Sequence, residues 1–188
     1  MALRFYPDAR TLVDVVCVCD PAVAAANTSE ALQRYRASGD LSEIVVPDDA
    51  SRFTIRPLNG QAPGRATAEA GVLGKPVHDV LDRIRTGEAD VDRLTPEDEA
   101  LFERFMVWRG RRAYNLCRYG IERVSDFPGV TAAAVGGLRC YPTEHLDRVP
   151  DEARQEIADH LDRIGSAAPE GKACSGGRSG APPGTPVP

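Results

Sequence analysis

Cys17-x-Cys19 sets two thiols two residues apart, and an extended strand at this point would turn both toward one face. A thiol pair of this kind is the start of a metal site. Completing one would need two more ligands, for which Cys117, Cys140, His145 and His160 are the available donors. None of these forms a second close pair, so the spacing of a zinc site is missing and buried structural thiols are the simpler reading. Cys140 and His145 could act as nucleophile and base, but Arg139-Cys140-Tyr141-Pro142 has no recognisable nucleophile context. An enzyme dependent on Cys17, Cys19 or Cys140 is the weakest of three functions the residues allow.

Phosphate chemistry fares no better. Between Gly165 and Gly171-Lys172-Ala173 lie five residues where a phosphate loop needs four, and Ala173 stands where a magnesium-binding hydroxyl is required. Gly136-Gly137 follows an alanine-rich run without the further glycine of a dinucleotide fingerprint and reads as a turn. Carboxylates cluster at Asp79, Asp82, Asp90 and Asp92 and at Glu97, Asp98 and Glu99, where helix caps and solvated faces account for them. No catalytic, cofactor-binding or metal-binding residue is therefore assigned, and no cofactor is expected.

A different chemistry is written between Arg104 and Arg123. Six arginines at 104, 109, 111, 112, 118 and 123 are interleaved with Trp108, Tyr114 and Tyr119. Trp, Tyr and Arg are the usual anchors of protein interfaces, so Trp108, Arg109, Arg112 and Tyr119 are candidate partner-binding residues. The competing reading is a cationic helix end that complements its own dipole, with Trp108 in the core. The 188-residue chain has 23 Lys and Arg against 28 Asp and Glu, a net charge of −5, which favours a protein partner over nucleic acid.

Positioning these residues requires a particular order of elements. Thr11 to Cys19 is rich in β-branched residues and reads as a strand that Asp20-Pro21 ends. Thr28 and Ser29 are caps for a short helix closed by Gly39. Ile44-Val45-Val46 and Arg52 to Arg56 are expected to pair as a hairpin across Pro47-Asp48-Asp49. In that arrangement Phe53 and Ile55 face the core, and Arg52, Thr54 and Arg56 face water. Asn59 to Lys75 reads as a loop followed by a frayed helix. A helix from Pro76 to Gly87 buries Val77, Val80, Leu81 and Ile84.

Thr95-Pro96-Glu97-Asp98-Glu99 combines a cap hydroxyl, proline at the first helical position and first-turn carboxylates. It opens a helix from about 96 to 119, with Leu101, Phe102, Phe105, Met106, Trp108, Ala113, Leu116 and Cys117 at helical spacing. At 1.5 Å per residue this helix is ~36 Å long and forms the spine of the fold. Ala153, Ile157, Leu161 and Ile164 stripe a last helix that begins at Pro150 and stops at Gly165. The final 24 residues hold six Gly and five Pro and are expected to be disordered. The class predicted is α+β: a small antiparallel sheet or hairpin on the N-terminal side, a mainly helical C-terminal half and a disordered tail at 165–188. Residues 1–164 form one domain, divisible into a β part at 1–60 and a helical part at 61–164.

Two stretches resemble a known family. Arg52-Phe53-Thr54-Ile55-Arg56-Pro57-Leu58 is similar to the opening strand motif of tail assembly chaperone-like proteins of tailed phages and prophages. Tyr141 to Leu146, then Val149-Pro150-Asp151-Glu152-Ala153, Ile157 to Ile164 and Glu170-Gly171-Lys172-Ala173 resemble that family's closing helices and lysine-containing tail. Gly120-Ile121-Glu122-Arg123-Val124 through Phe127 is similar to the segment that joins the two. The resemblance implies a non-enzymatic protein of the host cytoplasm that keeps the tape-measure protein soluble while tail tube subunits polymerise around it. It carries over no functional residue. The alternative is a small adaptor using the Trp/Arg helix as its interface. Met1 to Asp8 lacks a basic leader with an apolar core, and no apolar run approaches the ~20 residues of a membrane span, so a cytoplasmic protein is expected.

Overall fold

The computed structural model describes residues 12–58 and 60–166. The class is α+β, as the order of elements predicts. Three short strands, β1 (Val13–Val16), β2 (Arg52–Ile55) and β3 (Ile121–Val124), form an antiparallel sheet in the order β1-β2-β3. Opposite residues are Val15 with Phe53 and Phe53 with Val124, and a bulge between Thr54 and Ile55 shifts the register against β3. The expected tail from 167 onward lies outside the described residues, whereas Gly165 and Ser166 belong to the last helix and not to the tail.

The expected hairpin between 44–46 and 52–56 does not form. Both edges of β2 are taken by β1 and β3. Val45 finds its backbone partners elsewhere: Asn27 Nδ2 donates to its carbonyl at 2.7 Å and Asn27 Oδ1 accepts from its N–H at 2.7 Å. One asparagine side chain thus replaces a strand partner. Ile44 and Val46 instead pack against a small second core of Val16, Val18, Val23, Tyr35 and Ala50. The central place of β2 also corrects the expectation of a wet face, because Thr54 is buried. Its hydroxyl donates to Asp14 Oδ1 at 2.6 Å and accepts from Arg123 Nε at 3.0 Å.

The helices follow their start and stop signals. Asp20 both ends the β1 segment and caps α1 (Pro21–Ala26), so Asp20-Pro21 starts a helix as well as stopping a strand. Thr28 caps α2 (Ser29–Ser38), and Gly39 closes it in the left-handed region at φ 73°. The glycine-containing stretch after Asn59 is helical as α3 (Gln61–Ala70), burying Ala62, Ala66 and Ala70 against its neighbours. α4 (Lys75–Arg85) buries Val77 and Val80, while Leu81 and Ile84 stay partly exposed. Arg83 bridges to Asp98 in the first turn of α5 (Pro96–Gly120), with nitrogen–oxygen distances of 3.2 and 3.1 Å.

The 25-residue α5 is the spine, and its two halves differ. Its C-terminal half buries Ala113, Leu116, Cys117, Tyr119 and Gly120 among α3, the sheet and α7 (Asp151–Ser166). Its N-terminal half projects beyond the main core. From Gly120 the chain passes directly into β3, then through the β4 (Ala133–Val135) and β5 (Leu138–Cys140) hairpin, whose turn holds Gly136 and Gly137 at φ 56° and 83°. The short α6 (Thr143–Leu146) leads to α7, which buries Ala153, Ile157 and Leu161 as its stripe predicts.

Candidate interaction surface

Several of the arginine and aromatic side chains of α5 have partners within the chain. Trp108 is half-buried and donates its indole N–H to the Gly71 carbonyl at 2.8 Å, pinning the end of α3. Arg112 grips both oxygens of Asp162 on α7 at 2.7 and 2.8 Å and also donates to Thr67 Oγ1 at 3.3 Å. Tyr119 is buried, and its hydroxyl lies 2.8 Å from both oxygens of Glu69. Arg109 lies partly buried beside Asp159, whose carboxyl is pushed up by burial and drawn back by that guanidinium. Three of the four interface candidates therefore hold α3 and α7 onto the spine.

Among the charged residues left open on the same helix stand two large apolar ones. Met106 and Val107, placed in the core stripe or passed over by the sequence reading, are 45% and 55% exposed. They sit on a ridge between shallow grooves. One, of about 570 Å³, runs along Val91, Leu94, Phe102, Met106 and Val107. A second, of about 540 Å³, runs from Met106 and Val107 over Gly110 to Tyr114 and Arg154. A third, of about 370 Å³, lies between Val107 and Val72 in the α3–α4 connection.

Helical spacing explains why the grooves meet. Glu103, Met106 or Val107, Gly110 and Tyr114 recur three or four residues apart and so share one face. Gly110 is exposed and adds no side chain to that face, with open space where a Cβ would stand. Val72, 95% exposed, extends the apolar area beyond the helix. Charged groups border it: Glu103 and Arg111 on α5, Glu69 on α3, and Asp151 and Arg154 on α7. An apolar strip that is low at Gly110 and bordered by charges suits the apolar face of an amphipathic helix.

The thiols are dispersed except for one pair. Cys117 is buried and donates to the Arg154 carbonyl at 3.3 Å, and burial raises its pKa. Cys140 is buried at the end of β5, while His145 packs its ring on Phe127 at 5.1 Å, and among the described residues no hydrogen bond joins Cys140 to His145. Cys174 lies outside the described residues. Cys17 and Cys19, by contrast, are brought together with Glu156 of α7, their ligand atoms all within 4.8 Å of one another. They are not on one strand face, since β1 ends at Val16. No helix among the described residues is long and apolar enough to cross a membrane.

Comparison with known protein families, with curated proteins and with solved structures finds no match to this chain.

Proposed function

We propose that this is a non-enzymatic assembly protein that shields an amphipathic helix of a protein partner on the open face of α5. The observation that carries the reading is the exposed Met106–Val107 ridge beside the open surface at Gly110, on a helix whose other half buries five residues in the core. The resemblance of Arg52–Leu58 and of the 141–164 region to tail assembly chaperone-like proteins names the partner class. It is a long helical tape-measure protein, held soluble in the host cytoplasm until tail tube subunits enclose it. Shallow, reversible contact suits such a role, because the partner must be released intact.

The test is co-expression with segments of the tape-measure protein that this reading expects a neighbouring gene to encode, and the absence of such a gene overturns the reading. Wild-type protein is expected to keep an otherwise insoluble segment in solution and to co-purify with it. Met106→Lys with Val107→Glu is expected to abolish that effect while the protein alone stays folded. If the segment stays insoluble with the wild-type protein, or the double variant protects it equally well, this function is wrong. Protection of an unrelated amphipathic helix to the same degree would instead make the protein a general adaptor.

A further inference from the structure

Cys17 to Asp20 forms a tight turn at the end of β1, closed by a hydrogen bond from the Asp20 N–H to the Cys17 carbonyl at 3.1 Å. Glu156 fixes the turn from α7, its carboxylate accepting from the Val18 N–H at 2.5 Å and from the Cys19 N–H at 3.0 Å. Arg36 lies 3.5 Å from the same carboxylate. The turn is what brings the two sulfur atoms within 4.8 Å. Their surroundings differ sharply. Cys17 is 2% exposed, with its thiol directed to the Ala153 carbonyl at 3.7 Å, whereas Cys19 is open to solvent. Both line a cleft of about 370 Å³ with Ser51, Asp126, Pro150 and Glu152. That volume falls in the range of small-molecule sites, roughly 300–1,000 Å³.

A metal ion is the weaker use of this cluster. Both oxygens of Glu156 already accept backbone hydrogen bonds, and among the described residues no fourth donor joins the group. What remains free to react is the thiol pair. We propose that Cys17 and Cys19 are a reversible dithiol–disulfide pair that reacts with low-molecular-weight disulfides, Cys19 attacking and Cys17 resolving. The Cys19 thiolate attacks one sulfur of the small disulfide, forming a mixed disulfide and releasing one small thiolate, which takes a proton from water. Cys17 then loses its proton to solvent and attacks Cys19 Sγ, closing the Cys17–Cys19 bond and releasing the second small thiol. Two protein thiols are oxidised and one small disulfide is reduced to two thiols.

The electrostatics agree with this division of labour. The neighbouring Cys17 lowers the Cys19 pKa, against burial and the Glu156 carboxylate, which raise it. Cys19, burial and the Glu156 carboxylate all raise that of Cys17. An exposed thiol favoured as thiolate in front of a buried partner is the arrangement of an attacking and a resolving cysteine. The assignment is independent of the α5 surface, which lies on other residues.

Incubation of the reduced full-length protein with oxidised glutathione tests it. The wild-type chain is expected to lose two hydrogen masses, with peptide mapping placing the new bond between Cys17 and Cys19. Cys17→Ser is expected to stop at a stable glutathione adduct on Cys19, and Cys19→Ser to form neither product at this turn. A wild-type protein that accumulates the Cys19 adduct without closing, or a bond mapped to another pair, overturns the proposal. So does stoichiometric zinc that both cysteines are needed to hold. Because the wild-type mass and map decide the question, a variant that fails to fold does not obscure it.

Discussion

Arg112 holds Asp162 with both terminal guanidinium nitrogens, at 2.7 and 2.8 Å, and so ties the spine helix α5 to the last helix α7. The pair is partly open to solvent, and exposed ion pairs contribute ~0.2–1 kcal/mol, with two-pronged geometry favouring the upper end. Arg112→Ala is expected to lower the unfolding free energy by that order and to leave partner binding unchanged. Met106→Lys is expected to do the reverse. A double-mutant cycle with Asp162→Ala, read by denaturant unfolding, checks the first statement, and co-purification checks the second.

Gly120 ends α5 against the side chain of Leu161, which a Cβ at position 120 would overlap. Leu161 is buried on α7 and has little room to yield. Gly120→Ala is therefore expected to cost about 1–3 kcal/mol as an overpacking change, despite the better helix propensity of alanine. Combining it with Leu161→Val should recover part of that loss, because the two side chains share one space. Additive unfolding midpoints would show that the contact does not limit the packing.

How much of this was readable in the sequence follows from where the signals lie. Thr95-Pro96 with its acidic first turn, the Thr28 cap, Gly39 and the 153–157–161 stripe are local features, and each produced the expected helix. Asp20-Pro21 carries the same cap-and-proline signal as Thr95-Pro96, so α1 was legible but was read only as the end of a strand. The pairing of β2 was not legible. Its neighbours come from 13–16 and 121–124, and nothing near Val45 announces that Asn27 will satisfy its backbone. For the surface, composition pointed to α5 and to side chains that the fold gives partners within the chain. Trp108, Arg112 and Tyr119 look like interface anchors in isolation, yet α3 and α7 pack close enough to use them. The Cys17–Cys19 spacing was visible, whereas the turn and Glu156 that give it meaning come together only in three dimensions.

Tyr35 closes the outer edge of β1. Its hydroxyl accepts from the Val16 N–H at 3.1 Å and donates to the Val16 carbonyl at 3.0 Å. Both groups are buried, so Tyr35→Phe leaves a backbone donor and acceptor without partners at an otherwise unchanged core position. A loss of roughly 1–3 kcal/mol is expected. Amide exchange at Val16 is expected to quicken in the variant, and unchanged exchange there would show that the hydroxyl is dispensable.

His160 gives the fold a pH dependence whose sign can be worked out. It is 6% exposed, packed on the Tyr35 ring at 5.5 Å. Burial, with a smaller contribution from Arg163, lowers its pKa from 6.5 to about 4. The folded chain therefore keeps His160 neutral at pH values where the unfolded chain has protonated it. Above about pH 6.5 both states carry a neutral ring and the residue adds no pH dependence. As the pH falls from there toward about 4, the unfolded state takes up a proton that the folded state refuses, and stability declines; below that range the loss levels off. At 1.36 kcal/mol per pKa unit, the full effect is about 3 kcal/mol. His160→Gln is expected to flatten the stability profile between these limits, whatever it does to stability at neutral pH. Chemical denaturation of both proteins at a series of pH values measures this, and parallel profiles would remove His160 as the source.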